Sequence, residues 1–145
     1  RIMENLRFKF RAWYTSLSDL EEKPHYVYDI EQLYDGFTNK GASELGWVSS
    51  FGSLLDSPEE YIIEQCTGLK DKNGKLIYEN DLIKCPNGIY RIAVDDFGLW
   101  TAIYENNPLK DVVEWSDIVK EYAFNQDNVE LEVIGNIHTE NINDM

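Results

Sequence analysis

The side chains best suited to chemistry are few and scattered. Cys66 and Cys85 are the only cysteines, and His25 and His138 the only histidines. Neither cysteine belongs to a Cys-x-x-Cys pair or adjoins a histidine in sequence, and no histidine repeats at the i+4 spacing that sets two imidazoles on one helix face. Nucleophilic, redox and metal chemistry thus find no supporting pattern in sequence, pairing in space stays open, and both cysteines are expected as buried thiols. Asp71-Lys72-Asn73-Gly74-Lys75 has the look of a calcium loop but places Lys75 where an oxygen ligand is required. The same stretch ends in Gly74-Lys75-Leu76, with leucine where a phosphate loop needs a hydroxyl. The adjacent acids Glu21-Glu22, Glu59-Glu60 and Asp95-Asp96 follow from 27 acidic residues in 145. Neighbours along a strand point apart instead of across a cleft, so the pairs read as solvated carboxylates. Asp96 stands out slightly, because it leads the turn before Trp100. No catalytic residue, metal or cofactor is assigned, and an enzyme ranks last among the readings.

Binding is the better expectation. The formal charge of −14, from 13 basic and 27 acidic residues, opposes phosphate backbones, since nucleic-acid affinity comes largely from Lys and Arg displacing counterions. An acidic surface suits solubility or a basic protein partner. Phe37, Trp47 and Phe51 lie in a segment, residues 34–55, that has no sustained period of two or of 3.6. Large aromatics on such a loop are candidate interface anchors, and they serve equally well folded back over the core. The alternative is a nucleic-acid face built from Arg7, Lys9 and Arg11, which alternate along one side of a strand. The simpler reading of those three is a solvated strand face.

The elements that must position these residues are mostly strands. Nine tyrosines, six phenylalanines and four tryptophans within a 43% hydrophobic chain favour a folded, β-rich protein, and the length suits one domain. No apolar run approaches the roughly 20 residues of a membrane-spanning helix. There is no signal-peptide pattern, and Met3 has the look of a natural start, so a cytoplasmic protein is expected, with no role for Arg1 and Ile2.

Residues 6–14 alternate Phe8, Phe10 and Ala12 against Arg7, Lys9 and Arg11, the period of a half-buried strand. Residues 15–24 read as a loop, and His25 to Ile30 as a second strand pairing back on the first. Asp56-Ser57-Pro58 opens at most one helical turn before the strand formers of residues 61–66. Asn73-Gly74 supplies the positive φ of a tight hairpin, or of a type I turn closed by a glycine bulge, and Glu79-Asn80-Asp81 turns the chain again before Leu82-Ile83. Pro86-Asn87-Gly88 and Asp95-Asp96-Phe97-Gly98 mark further turns around strands at 89–94 and 99–105. Ile118, Val119 and Tyr122, set against Asp117, Lys120 and Glu121, predict a two-turn helix from Ser116. Residues 129–137 alternate as a closing strand, and the polar tail after Thr139 is expected to fray.

Thr67-Gly68-Leu69-Lys70-Asp71-Lys72-Asn73-Gly74-Lys75, followed by Ile77-Tyr78-Glu79 and by Asp81 with an aliphatic pair, resembles the YopX family of phage and prophage proteins. Phe8-Lys9-Phe10-Arg11-Ala12-Trp13, Trp100 and Val133-Ile134-Gly135-Asn136-Ile137-His138 agree with it. One departure is Asn80, where the family's pattern has glycine; asparagine is the next most tolerant residue in a left-handed turn. The resemblance implies a compact β-rich phage protein of unassigned biochemical role, located in the bacterial host. The fold expected is mainly β or α+β, as a single domain. Residues 62–138 would form a small SH3-like antiparallel barrel, decorated by N-terminal strands, a long loop and one or two short helices from residues 3–61. Its partner would be another protein, of phage or host, and a homo-oligomer stays open.

Overall fold

Strand formers and tight turns set the architecture of the computed structural model, which describes residues 8–16, 22–32, 55–56, 58–106, 109, 111–123 and 129–139. The chain divides into two compact units, Arg1–Gly68 and Leu69–Met145. Both are built mainly from antiparallel strands, and the protein is mainly β, as expected.

In the first unit β1 (Phe10–Tyr14) lies between β2 (His25–Tyr28) and β3 (Tyr61–Lys70), which runs on across the division. Ala12 faces Val27 on one side and Ile63 on the other. Because strand side chains alternate, Ala12, Tyr14, Val27 and Tyr61 share one face, where they enclose Ile30 in an apolar cluster. The opposite face carries Arg11, Trp13, Tyr26 and Glu64. That face is covered too: every residue from Arg11 to Tyr14 is buried. After β2, Asp29 takes a left-handed φ of 58°, and the turn Ile30–Gln32 brings the Glu31 carboxylate to accept the Phe10 N–H at 2.7 Å.

The second unit begins with a tight turn leading into β4 (Leu76–Tyr78) and continues through β5 (Asp81–Cys85), β6 (Gly88–Val94), β7 (Trp100–Tyr104) and β8 (Val112–Glu114). The helix α1 (Trp115–Tyr122) and β9 (Glu132–Asn136) follow. Five strands make one curled antiparallel sheet in the order β8-β7-β6-β5-β9, which fits half of a small barrel. The curl has a local cause on β9. Gly135 faces Leu82 while Val133 faces Ile83, so Ile134 is the extra residue of a bulge. On the concave face Ile83, Cys85, Tyr90, Ile92 and Ala102 pack with Ile77 and Leu131 and with Trp115, Ile118 and Tyr122 of the helix. The 3–4 spacing of those helical residues is what points one face of α1 inward. Gly88 is fixed by its neighbour: a Cβ there would collide with the Tyr104 ring.

The expected hairpin, the turn at Asn80 and the two-turn helix are all present. Asn80 has a φ of 68°, the left-handed conformation its place in the sequence demanded. The strands are shorter than expected at both ends of the chain, at Phe10–Tyr14 and Glu132–Asn136. The strand β8 had no counterpart in the sequence reading. Most of the loop at residues 34–55 and the tail beyond Thr139 lie outside the described residues.

Candidate interaction surface

Of the three cations considered for a nucleic-acid face, Lys9 and Arg11 are ion-paired to carboxylates. Arg11 is 2% exposed and its Nε donates to Glu64 Oε1 at 2.8 Å, with Glu64 itself 0% exposed. Tyr26 donates its hydroxyl to the same oxygen at 2.8 Å, and the guanidinium carbon lies 4.0 Å from the Tyr26 ring centroid. A buried guanidinium is tolerable only when paired and hydrogen-bonded in this way. It is then not available to a phosphate, so the solvated face expected around Arg11 is corrected: both sides of β1 are covered. Lys9 lies 3.1 Å from Asp29 Oδ1. Arg7, like Phe37, Trp47 and Phe51, lies outside the described residues.

The thiols are buried, as their isolation in sequence implied. Burial pushes the Cys85 thiol up to about 11, despite its contacts with Asn87 Oδ1 at 3.0 Å and Gly88 O at 3.5 Å. A thiol that stays protonated at neutral pH is a poor nucleophile and a poor metal ligand. Asn87 also donates to the Tyr90 hydroxyl at 2.9 Å, so the polar atoms of this corner satisfy one another. His25 Nδ1–H donates to the Lys23 carbonyl, 2.7 Å away, and its Nε2 lies 3.7 Å from Glu22 Oε1. Among the described residues no group of three or more His, Cys, Asp or Glu could hold a metal ion. No described helix is long and apolar enough to cross a membrane.

The residues that carry the family resemblance hold the fold. Asp71 Oδ1 accepts the N–H groups of Asn73 and Lys75, each at 2.9 Å, and Oδ2 accepts that of Val133 at 2.9 Å. Asp81 Oδ2 accepts the Tyr78 N–H at 2.8 Å. These carboxylates close turns and tie β9 in place, so neither is a free acid or base.

A second turn repeats the first. At Asp71 the N–H bonds the Lys75 carbonyl at 2.8 Å, Gly74 donates to the Asp71 carbonyl at 3.0 Å, and Gly74 has a φ of 81°. At Asp95 the N–H bonds the Leu99 carbonyl at 2.9 Å, Gly98 donates to the Asp95 carbonyl at 3.0 Å, and Gly98 has a φ of 80°. Asp95 Oδ1 accepts from Phe97 and Leu99 at 2.9 Å each, as Asp71 Oδ1 does from Asn73 and Lys75. The side chains differ. Where the first turn shows Asn73 and Lys75 to water, the second shows Phe97 at 88% exposure and Leu99 at 61%.

The second turn stands on a firm base. Val94 and Trp100 face each other where β6 meets β7, and Trp100 packs against the core. Beside it, β8 ends the sheet, with Val112 opposite Ile103 and Glu114 opposite Thr101, and Val112 is 61% exposed. By strand alternation Thr101, Ile103, Val112 and Glu114 lie on the convex face, on the side away from Ala102 and the core. Phe97 and Leu99 are thus exposed at the turn end of β7, with Asp95 and Asp96 in the same turn, while Val112 stands farther along the edge strand, opposite Ile103. In sequence alone Asp95-Asp96-Phe97-Gly98 reads only as a turn. The signal of its likeness to the Asp71 turn is the repeated Asp-x-x-Gly-x.

The family model described as YopX protein matches residues 9–142, nearly the whole chain. No curated protein matches the chain.

Proposed function

The chain belongs to the YopX family, and from that premise we propose that it is a phage-associated accessory protein that acts in the cytoplasm of a bacterial host by binding another protein. The curled sheet of the second unit is read as an SH3-like module, and its acidic surface as the face shown to the partner. The observation that carries this reading is Phe97: a large aromatic, 88% exposed, on a turn whose backbone is already hydrogen-bonded at Asp95. Exposed aromatics held rigidly are the side chains that dominate interface energies, because little freedom is lost on docking. Phe37, Trp47 and Phe51 remain proposed as additional anchors. With Arg11 paired to Glu64, the nucleic-acid reading loses its central residue.

The test is capture by the immobilised full chain from host cells, before and after phage infection, with retained proteins identified by mass spectrometry. A protein held by the wild type and released by Phe97→Ser, with an unchanged melting curve, supports the proposal. Equal retention by both chains removes the turn as the anchor. Salt-sensitive retention on DNA or RNA would favour the nucleic-acid reading instead, since only that mode requires counterion release.

A further inference from the structure

We infer that the surface around Phe97 takes a basic protein, one with an apolar socket rimmed by lysine or arginine; this rests on the protein-binding reading above and names its partner's chemistry. The apolar part is the turn already described: Phe97 and Leu99, at 88% and 61% exposure. Single exposed apolar residues are ordinary on protein surfaces. These two instead share one tight turn, and the companion turn at Asp71 shows that the backbone does not require them.

The charge near them in sequence is mostly negative. Between residues 92 and 119 Lys110 is the single cation in the sequence, against Asp95, Asp96, Glu105, Asp111, Glu114 and Asp117. Asp96 is exposed beside Phe97, and Glu114 is exposed on β8 opposite Thr101. The nearest cation in register is Arg91, opposite Ile103 on the neighbouring strand, and its Nε lies 3.4 Å from Glu105. An apolar knob with an anionic rim repels nucleic acid and acidic proteins alike, and it steers a cationic surface toward itself. Complementary charge at the rim sets the rate of encounter and excludes wrong partners, while the buried aromatic sets how long the complex lasts. The occupant is therefore a positively charged protein face, with the phenylalanine ring as its plug.

The experiment uses the full chain and a bead-bound random-peptide library as the probe, selected at low ionic strength and re-screened against Phe97→Ser. The expected result is a set of peptides that need Phe97 and are enriched in Lys or Arg beside aromatic or aliphatic residues. Their affinity falls with added salt. Asp96→Lys and Glu114→Lys should each weaken them about two- to fivefold, the size of a rim charge pair, while Glu130→Lys, away from the surface, leaves them unchanged. Intrinsic fluorescence melts of each variant keep folding separate from binding. Peptides that need Phe97 but are neutral or acidic overturn the basic partner and leave the turn as an anchor. Peptides indifferent to Phe97→Ser, or no retained peptides, overturn both.

Discussion

At Asp71 and again at Asp95 the second unit reverses its chain through the same hydrogen bonds and the same left-handed glycine, yet the two turns do different work. Asp71 is buried, and its second carboxylate oxygen reaches beyond the turn to the Val133 N–H at 2.9 Å. Lys72 in the same turn pairs with Glu132 at 2.8 Å. That turn is a joint: it fastens β9 to the hairpin. Asp95 is only half-buried, and Oδ1 accepts the Phe97 and Leu99 N–H groups within its own turn. This one is a mount, holding Phe97 and Leu99 out from the sheet. A backbone motif thus tells how the chain turns and not what the turn is for; the side chains that the geometry leaves unconstrained carry that information.

The largest expected effect separates joint from mount. Asp71→Ala removes three charge-assisted hydrogen bonds and strands the half-buried Val133 N–H, and it should cost about 3 kcal/mol by urea denaturation. Asp95→Ala loses two such bonds at a wetter site and should cost about 1 kcal/mol. Equal losses would mean that the tie to β9 contributes nothing and that the two turns are interchangeable.

Alkaline pH acts on the core beneath both turns and should leave the difference between them intact. Burial raises the Cys85 thiol from 9.0 to about 11 and, with the neighbouring Glu121, the Tyr122 hydroxyl from 10.0 to about 12. Both groups lose their protons earlier in the unfolded chain than in the folded one. Unfolded chains then bind fewer protons, so stability is level below pH 9.0 and falls as the pH rises toward about 11. In Cys85→Ala the fall should begin later, near the tyrosine's 10.0. The gap between Asp71→Ala and Asp95→Ala should be the same at the bottom and top of such a ramp. A gap that closes with pH would place the joint's contribution in the core and not in Asp71.

How much of this could be read beforehand depended on distance along the chain. Asn73-Gly74 and Asn80 were legible because a turn's φ angles are set by the residues in it. Asp71's reach to Val133 spans 62 residues, and Arg11 meets Glu64 across 53. No local pattern records either, which is why Arg11 read as a surface cation. The strand β8 is three residues, Val112–Glu114, too short to display a period. Phe97 was visible, but its exposure was not: a phenylalanine in a β-rich chain reads as core until the sheet shows which side it is on.

A third left-handed position refines the comparison. Asn80 does with a side chain what Gly74 and Gly98 do without one, at a φ of 68° against 81° and 80°. A Cβ in that conformation costs about 1–2 kcal/mol, and glycine's greater freedom when unfolded returns about 0.5–1 kcal/mol of that. Asn80→Gly should therefore stabilise by about 0.5 kcal/mol, and Gly98→Asn should destabilise by about as much. A loss of stability in Asn80→Gly would show that the asparagine side chain, and not the backbone alone, holds the turn.

The smallest expected effect on stability carries the most weight for function. Phe97→Asn with Leu99→Lys rebuilds the second turn on the side chains of the first, Asn73 and Lys75. Both glycines, both aspartates and every backbone hydrogen bond of the turn are unchanged, and the two altered side chains are mostly in water already. Removing largely exposed apolar groups forfeits little burial, so the denaturation midpoint should move by no more than about 0.5 kcal/mol. If Phe97 and Leu99 are the anchor, the same double change removes binding while the fold stays whole. If they instead cover the core, stability falls by several times that amount, about 3 kcal/mol for a buried phenylalanine. Equilibrium urea unfolding of the double variant, beside the capture experiment, distinguishes these outcomes: unchanged stability with lost capture marks a binding turn, whereas lost stability makes Phe97 part of the core and returns the mount to the status of a joint.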